Sequence, residues 1–173
     1  MAVIFIDGND LRAAEVQRIA PKLALSVEAL QSGFSTSAPE PGQRARDKVL
    51  AHPVAGACFA EASDLTTMDG KSLRLELDSG NANRFCKWWR ETPTKMVLVI
   101  AVRRSPDAEI QLFDAVCDGR IADQPKGSLE LGWDRLFVPA GEDYTLAELI
   151  QAGEVSELRR TAYAQVAAVL GAS

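Results

Sequence analysis

Histidine occurs once in the 173 residues, at His52, and cysteine three times, at Cys58, Cys86 and Cys117, with no C-x-x-C spacing. A structural zinc centre and a Cys/His or Ser/His nucleophile both lack parts, so any metal must be held through oxygen. Long hydrophobic runs are missing too. Met1 to Ile6 is apolar, but it is too short for a signal core or a membrane span, and Asp7 and Asp10 follow at once. The expectation is a cytoplasmic protein with no membrane partner. Positive charge is scarce: 19 Lys and Arg stand against 24 Asp and Glu, for a net charge of −5. That balance argues against a nucleic-acid polymer as partner, because such binding rests on clustered cations releasing counterions. A small anionic substrate would need locally gathered positive charge. No internal repeat or low-complexity tract is present.

What is there suits a core. At 47% hydrophobic and 25% charged residues, the chain predicts one domain over residues 1–173. Ala2 to Ile6 reads as a buried strand entering a turn at Asp7-Gly8-Asn9. Asn9 or Asp10 then caps a helix carrying Ala13, Val16, Ile19 and Ala20 until Pro21 stops it. Residues 32–43 read as a loop, and Arg44 to Leu50 as a short helix. Val54 to Phe59 is a second apolar run, and Leu65 to Leu77 reads as a hairpin around Asp69-Gly70. Arg84 to Arg90 reads as helical, while Lys95 to Val102 and Glu109 to Cys117 read as paired strands. A last helix puts Val155, Leu158, Ala162, Val166 and Val169 on one face and ends at Gly171.

The most telling stretch is Gly119-Arg120-Ile121, Pro125-Lys126-Gly127, then Leu131-Gly132-Trp133-Asp134-Arg135-Leu136-Phe137-Val138-Pro139. It resembles the F-G-[WY]-D-P-x-F-x-P block of the inosine triphosphate pyrophosphatase family, which splits non-canonical purine nucleoside triphosphates into monophosphate and pyrophosphate. Leu131 and Arg135 depart from that block. Thr145-Leu146-Ala147-Glu148-Leu149 is similar to the family's T-x-A-E-[LM], and the likeness reaches back to the opening turn. It implies an α/β fold, a twisted mixed sheet flanked by helices with a nucleotide cleft between two lobes. It also implies magnesium, a nucleoside triphosphate substrate and a homodimer.

The site residues follow from the same resemblance. Asp7-Gly8-Asn9-Asp10-Leu11-Arg12 is similar to the family's [ST]-G-N-x-x-K turn, so Gly8, Asn9 and Arg12 are expected to receive phosphates at a helix start. Glu40-Pro41 with Gln43 and Lys48 is similar to E-P-x-E-x-x-x-x-K. Lys48 would reach a phosphate, and Gln43 stands where a metal carboxylate belongs; Arg44, Arg46 and Asp47 also read as a solvated charged face. Ala60-Glu61-Ala62-Ser63-Asp64-Leu65 is similar to [AV]-[ED]-D-[ST]-G-L, so Glu61 and Asp64 are expected to hold metal and activate water, with Ala62 at the base position. Phe85-Cys86-Lys87-Trp88-Trp89 resembles Y-x-K-W-[FL], offering Lys87 to the triphosphate and the two tryptophans to packing. Trp133 and Asp134 would meet the base. Ser156-Glu157-Leu158 keeps only the Ser of the family's S-H-R, so Glu157 would present an acceptor and change the base preference.

Three function classes fit these residues. One is a nucleoside triphosphate pyrophosphohydrolase with altered base specificity. Another is a catalytically silent relative that binds nucleotide or regulates a partner, since Gln43, Ala62, Leu131, Glu157 and Leu158 all depart at functional positions. The third is an assembly protein that keeps the fold alone.

Overall fold

The computed structural model describes residues 2–78 and 81–171. The opening apolar run forms β1 (Val3–Asp7), and helix α1 (Asp10–Ile19) follows after a two-residue turn. Asn9 caps that helix: its side chain accepts the backbone N–H groups of Leu11 and Arg12 at 2.9 and 3.2 Å, two of the donors a helix start leaves bare. Gly8 is required by space. A Cβ there would lie 2.4 Å from the carbonyl oxygen of Ser32. Gly8→Ala is therefore expected to force the two backbones apart at a cost of about 1–3 kcal/mol, read by denaturant titration.

The next strand, β2 (Val27–Gln31), pairs parallel with β1 from Val3↔Val27 to Asp7↔Gln31. Helix α2 (Pro41–Ala51) starts earlier than the apolar pattern suggested, because proline fits the first helical turn. Strand β3 (Cys58–Thr67) begins late in the second apolar run. The Asp69-Gly70 turn forms, with Gly70 at φ 91°, and Thr66 bridges to Ser72. The expected return strand does not: helix α3 (Arg74–Asp78) takes its place. Ser79-Gly80, which the resemblance implies stands in for the family's turn before Phe85, lies outside the described residues. Helix α4 (Ala82–Trp89), strands β4 (Pro93–Arg103), β5 (Gln111–Ile121) and β6 (Phe137–Pro139), and helices α5 (Leu146–Gln151) and α6 (Glu157–Gly171) complete the chain.

The six strands form one sheet in the order β2-β1-β3-β4-β5-β6. It is mixed: β1 lies parallel to β2 and β3, and β5 antiparallel to β6. With its helices this is the expected α/β architecture. The chain divides into two compact units, one comprising Met1–Ala62, Leu98–Ala115 and Glu157–Ser173, the other Ser63–Val97 and Val116–Ser156.

In the first unit the strand alternation separates two environments. Ile6, Cys58, Ala60 and Ala101 pack with Ala45 and Val49 of α2, all fully buried, and Ala62 lies against this cluster. Phe5 and Phe59 stack at 5.0 Å, and Phe59 meets Tyr163 of α6 edge-on at 5.7 Å. In the second unit, α5 clasps the Pro125-Lys126-Gly127 turn. Thr145 and Glu148 form a reciprocal capping box, and the Thr145 hydroxyl also donates to the Lys126 carbonyl at 3.1 Å. Gly127 sits at φ 98°, where a Cβ would come within 2.6 Å of Ala147 Cβ.

Candidate functional site

Strand β3 carries a carboxylate into the interior of the first unit. Glu61, 5% exposed, meets Arg12 Nε at 2.9 Å and Arg159 Nη2 at 3.1 Å, and accepts the Tyr163 hydroxyl. Arg12 Nη1 also binds Glu15 at 2.7 Å, and Arg159 Nε lies 3.4 Å from the same Glu15 oxygen. Two guanidiniums thus neutralise two carboxylates where little water reaches. Burial opposes the charge on Glu61, but Arg159, Arg12 and the Tyr163 hydroxyl outweigh it and hold its carboxyl down at about 2. Burial, then the Glu61 charge, pushes the Tyr163 hydroxyl well above the usual phenol range.

This arrangement changes what two expected site residues can do. Arg12 was expected at a phosphate, yet its guanidinium is turned into the core and held by Glu15 and Glu61. Glu61 was expected on magnesium. Its two oxygens are taken by two cations and a phenol, and cations on both sides repel a further one, so it does not fit a metal ligand. Gln43 donates to Asp47 at 2.5 Å, and Asp64, buried in the second unit, accepts from the Ser72 hydroxyl at 2.8 Å. Among the described residues, no group of three or more His, Cys, Asp or Glu is placed to hold a metal ion. Ala62, at the base position, faces the apolar side of β3.

A second polar set stands at the carboxyl end of β1, where open α/β sheets present ligands, beside the middle of β3. Lys48 Nζ donates to the Glu61 carbonyl at 2.8 Å and lies 3.8 Å from Asp7 Oδ2. Gly8 and Asn9 follow Asp7 directly and lead into α1. The Lys48 ammonium thus lies between the end of β1 and the backbone of β3. The helix that carries it is less solvated than its charge suggested: Arg44 is buried and donates to the carbonyls of Ala38 and Pro39, and Asp47 accepts from Thr36 at 2.9 Å. These bonds tie the 32–43 loop to α2.

The other expected residues scatter. Glu157 is exposed, paired with Arg160 at 2.8 Å, while Leu158 takes its place in the core. In the second unit, Asp134 and Leu131 are buried, and Trp133 meets Phe85 edge-on at 6.4 Å beside the kink at Gly132. Lys87 is exposed on α4. Trp89 stacks on Phe85 at 6.3 Å, but Trp88, expected to pack, is 67% exposed with the Arg84 guanidinium over its ring. Sequence reading missed Glu15, Arg159 and Tyr163. The available signals were spacings: Arg12 and Glu15 stand three apart, Arg159 and Tyr163 four apart, each pair on one helix face. It also missed a cavity of about 340 Å³ in the second unit, where Arg90, Arg120 and Lys126 alternate with Glu91, Asp123 and Asp143.

The model of the Ham1 family matches residues 3–168. The chain belongs to the Ham1 family. It is 29% identical over 164 residues to the dITP/XTP pyrophosphatase of Methanopyrus kandleri, covering 86% of this chain and 85% of that one. It is 24% identical to the inosine triphosphate pyrophosphatase of Yarrowia lipolytica, covering 86% and 84%. Stronger local identity, 36% over 63 residues, links it to the dITP/XTP pyrophosphatase of Halalkalibacterium halodurans, but that stretch spans only 36% of this chain and 32% of that one. The fold matches a HAM1 protein from Coxiella burnetii over all of both chains, with a TM-score of 0.68 at 18% identity. These relatives are the family that the Gly132-Trp133-Asp134 block resembled.

Proposed function

We propose that this Ham1 family chain is a nucleoside triphosphate pyrophosphohydrolase whose base preference departs from the inosine and xanthosine type. The observation that carries this reading is the Lys48 ammonium beside Asp7, at the end of β1 where the Gly8-Asn9 turn begins, and bonded to the Glu61 carbonyl of the adjacent parallel strand. A cation, backbone donors and a helix start are what a polyphosphate needs. In this reading water attacks the α-phosphorus, the bond to the β-phosphate breaks, and pyrophosphate leaves. Lys48 holds phosphate oxygens, and no step is assigned to Arg12 or Glu61. Lys87 on the phosphates and Trp133 with Asp134 on the base remain part of the proposal; Leu131 in place of an aromatic supports a changed base preference, while the exposed Glu157, paired with Arg160, has no role at the base. A homodimer in the cytoplasm belongs to the same reading.

A second reading has its own support. The neutralised Glu61 and the apolar setting of Ala62 favour a silent relative that binds nucleotide without turning it over. Incubation with standard, deaminated and modified nucleoside triphosphates, each with and without magnesium, separates the two. Monophosphate plus pyrophosphate from at least one substrate class is the expected result. No product despite thermal stabilisation by nucleotide, which reaches about 2.7 kcal/mol at a hundred times the dissociation constant, would establish the silent relative.

A further inference from the structure

Two carboxylates end up on adjacent strands with opposite surroundings. Phe5 and Phe59 are register partners on β1 and β3, and two residues further along each strand come Asp7 and Glu61. Glu61 is wrapped by two guanidiniums and a phenol, so it is nearly closed to water and a very weak base. Asp7 is the reverse. Its side chain keeps 14% exposure, and the Lys48 ammonium stands 3.8 Å away, beyond direct hydrogen-bond length.

Several groups act on Asp7. Burial raises its proton affinity; Lys48 on α2 lowers it, Glu61 on β3 raises it, and Arg12 on α1 and the backbone of Asn9 lower it. The balance leaves the carboxyl above the usual aspartate range. Lys48 is in turn anchored beside Asp7 through its bond to the Glu61 carbonyl. Position 62, next along β3, is an alanine packed against the apolar cluster and has no proton acceptor.

From this geometry we propose that Asp7 is the general base of the hydrolysis, relocated from β3 to the end of β1, with Lys48 holding the phosphate against it. The inference rests on the pyrophosphohydrolase reading. As the water oxygen bonds to the α-phosphorus, one O–H bond breaks and its proton passes to Asp7. The α-phosphorus–oxygen bond to the leaving group breaks, and its electron pair departs with pyrophosphate. Asp7 then returns the proton to solvent. The wrapped Glu61 serves as the internal counterion of Arg12 and Arg159 and keeps both away from the reacting water.

Asp7→Asn tests this. Because an acid with raised proton affinity penalises the fold when ionised, the variant is expected to melt at the same temperature as the parent or higher at pH 7, with the gap closing as pH falls. It should bind a non-hydrolysable nucleoside triphosphate with affinity within a few-fold of the parent. Turnover should drop about 10²- to 10⁴-fold, and the acidic limb of the kcat/KM profile should vanish. Turnover within threefold of the parent, with the same acidic limb, would overturn the assignment while leaving the enzyme reading intact. A fall in melting temperature would make Asp7 a structural partner of Lys48 and overturn it too. If the parent itself binds the nucleotide and releases no pyrophosphate, the enzyme reading fails, whatever the variant does.

Discussion

Glu61→Ala is expected to cost about 3–5 kcal/mol of stability, the range for removing one partner from a buried ion cluster. The loss comes from what remains: Arg12 and Arg159 would stay in the interior with one carboxylate fewer beside them, and the Tyr163 hydroxyl would lose its acceptor. In a chain of this length the melting temperature should fall on the order of 10 °C. A catalytic carboxylate at the same place would predict lost turnover with the fold spared, so a thermal melt separates the roles before any assay. A loss under 1 kcal/mol would show that the arginines reach water. Acid should have a related effect. The Glu61 carboxyl is lowered from 4.5 to about 2, so its contribution to stability is complete above pH 4.5 and is lost as pH falls toward 2. Asp7 runs the other way: its penalty applies above its raised pKa and is relieved on acidification.

Lys48→Met is expected to weaken triphosphate binding roughly 10- to 100-fold, the equivalent of losing a hydrogen bond to a charged group at about 1.5–3 kcal/mol. Calorimetric titration with a non-hydrolysable triphosphate reads it. Two further consequences follow from the geometry. The bond from Lys48 to the Glu61 carbonyl is lost, a modest stability cost of about 1 kcal/mol. Removing the ammonium also removes the nearest charge that favours ionised Asp7, so the acidic limb of the rate profile should move to higher pH. Arg12→Met gives the contrast, since its guanidinium lies in the core: stability should fall while nucleotide affinity changes little. Equal binding by the Lys48 variant and the parent would remove Lys48 from the phosphate site.

Local chemistry made much of the fold legible. The β-branched opening run, the Asn9 cap, the stop at Pro21 and the long apolar run from Met96 each express a preference of neighbouring residues, and each became the predicted element. β2 had no such signal. Its strand character comes from pairing with β1 along an exposed edge, and its residues carry little of the apolar alternation that marks a half-buried strand. The return strand after Gly70 failed for a related reason: the turn signal was real, but a single bridge at Ser72 was all the pairing that formed.

The site divides along the same line. The resemblance is what made Gly8, Asn9 and Lys48 expected phosphate contacts, and the order of the Trp133-Asp134 block identified the family. Whether a given charge faces a ligand or the core is set by residues far away in sequence. Arg159 lies 98 positions from Glu61, and only the packing of α6 on β3 turns that acid from a metal ligand into a counterion. Asp7 is the converse case, an apparent defect in the motif that tertiary placement puts beside Lys48. Sequence alone determined the family and most of the elements, because both are written in short-range patterns. Tertiary structure alone decided which carboxylate is neutralised and which is left basic, because charge and solvation act through space between strands and helices that only folding brings together.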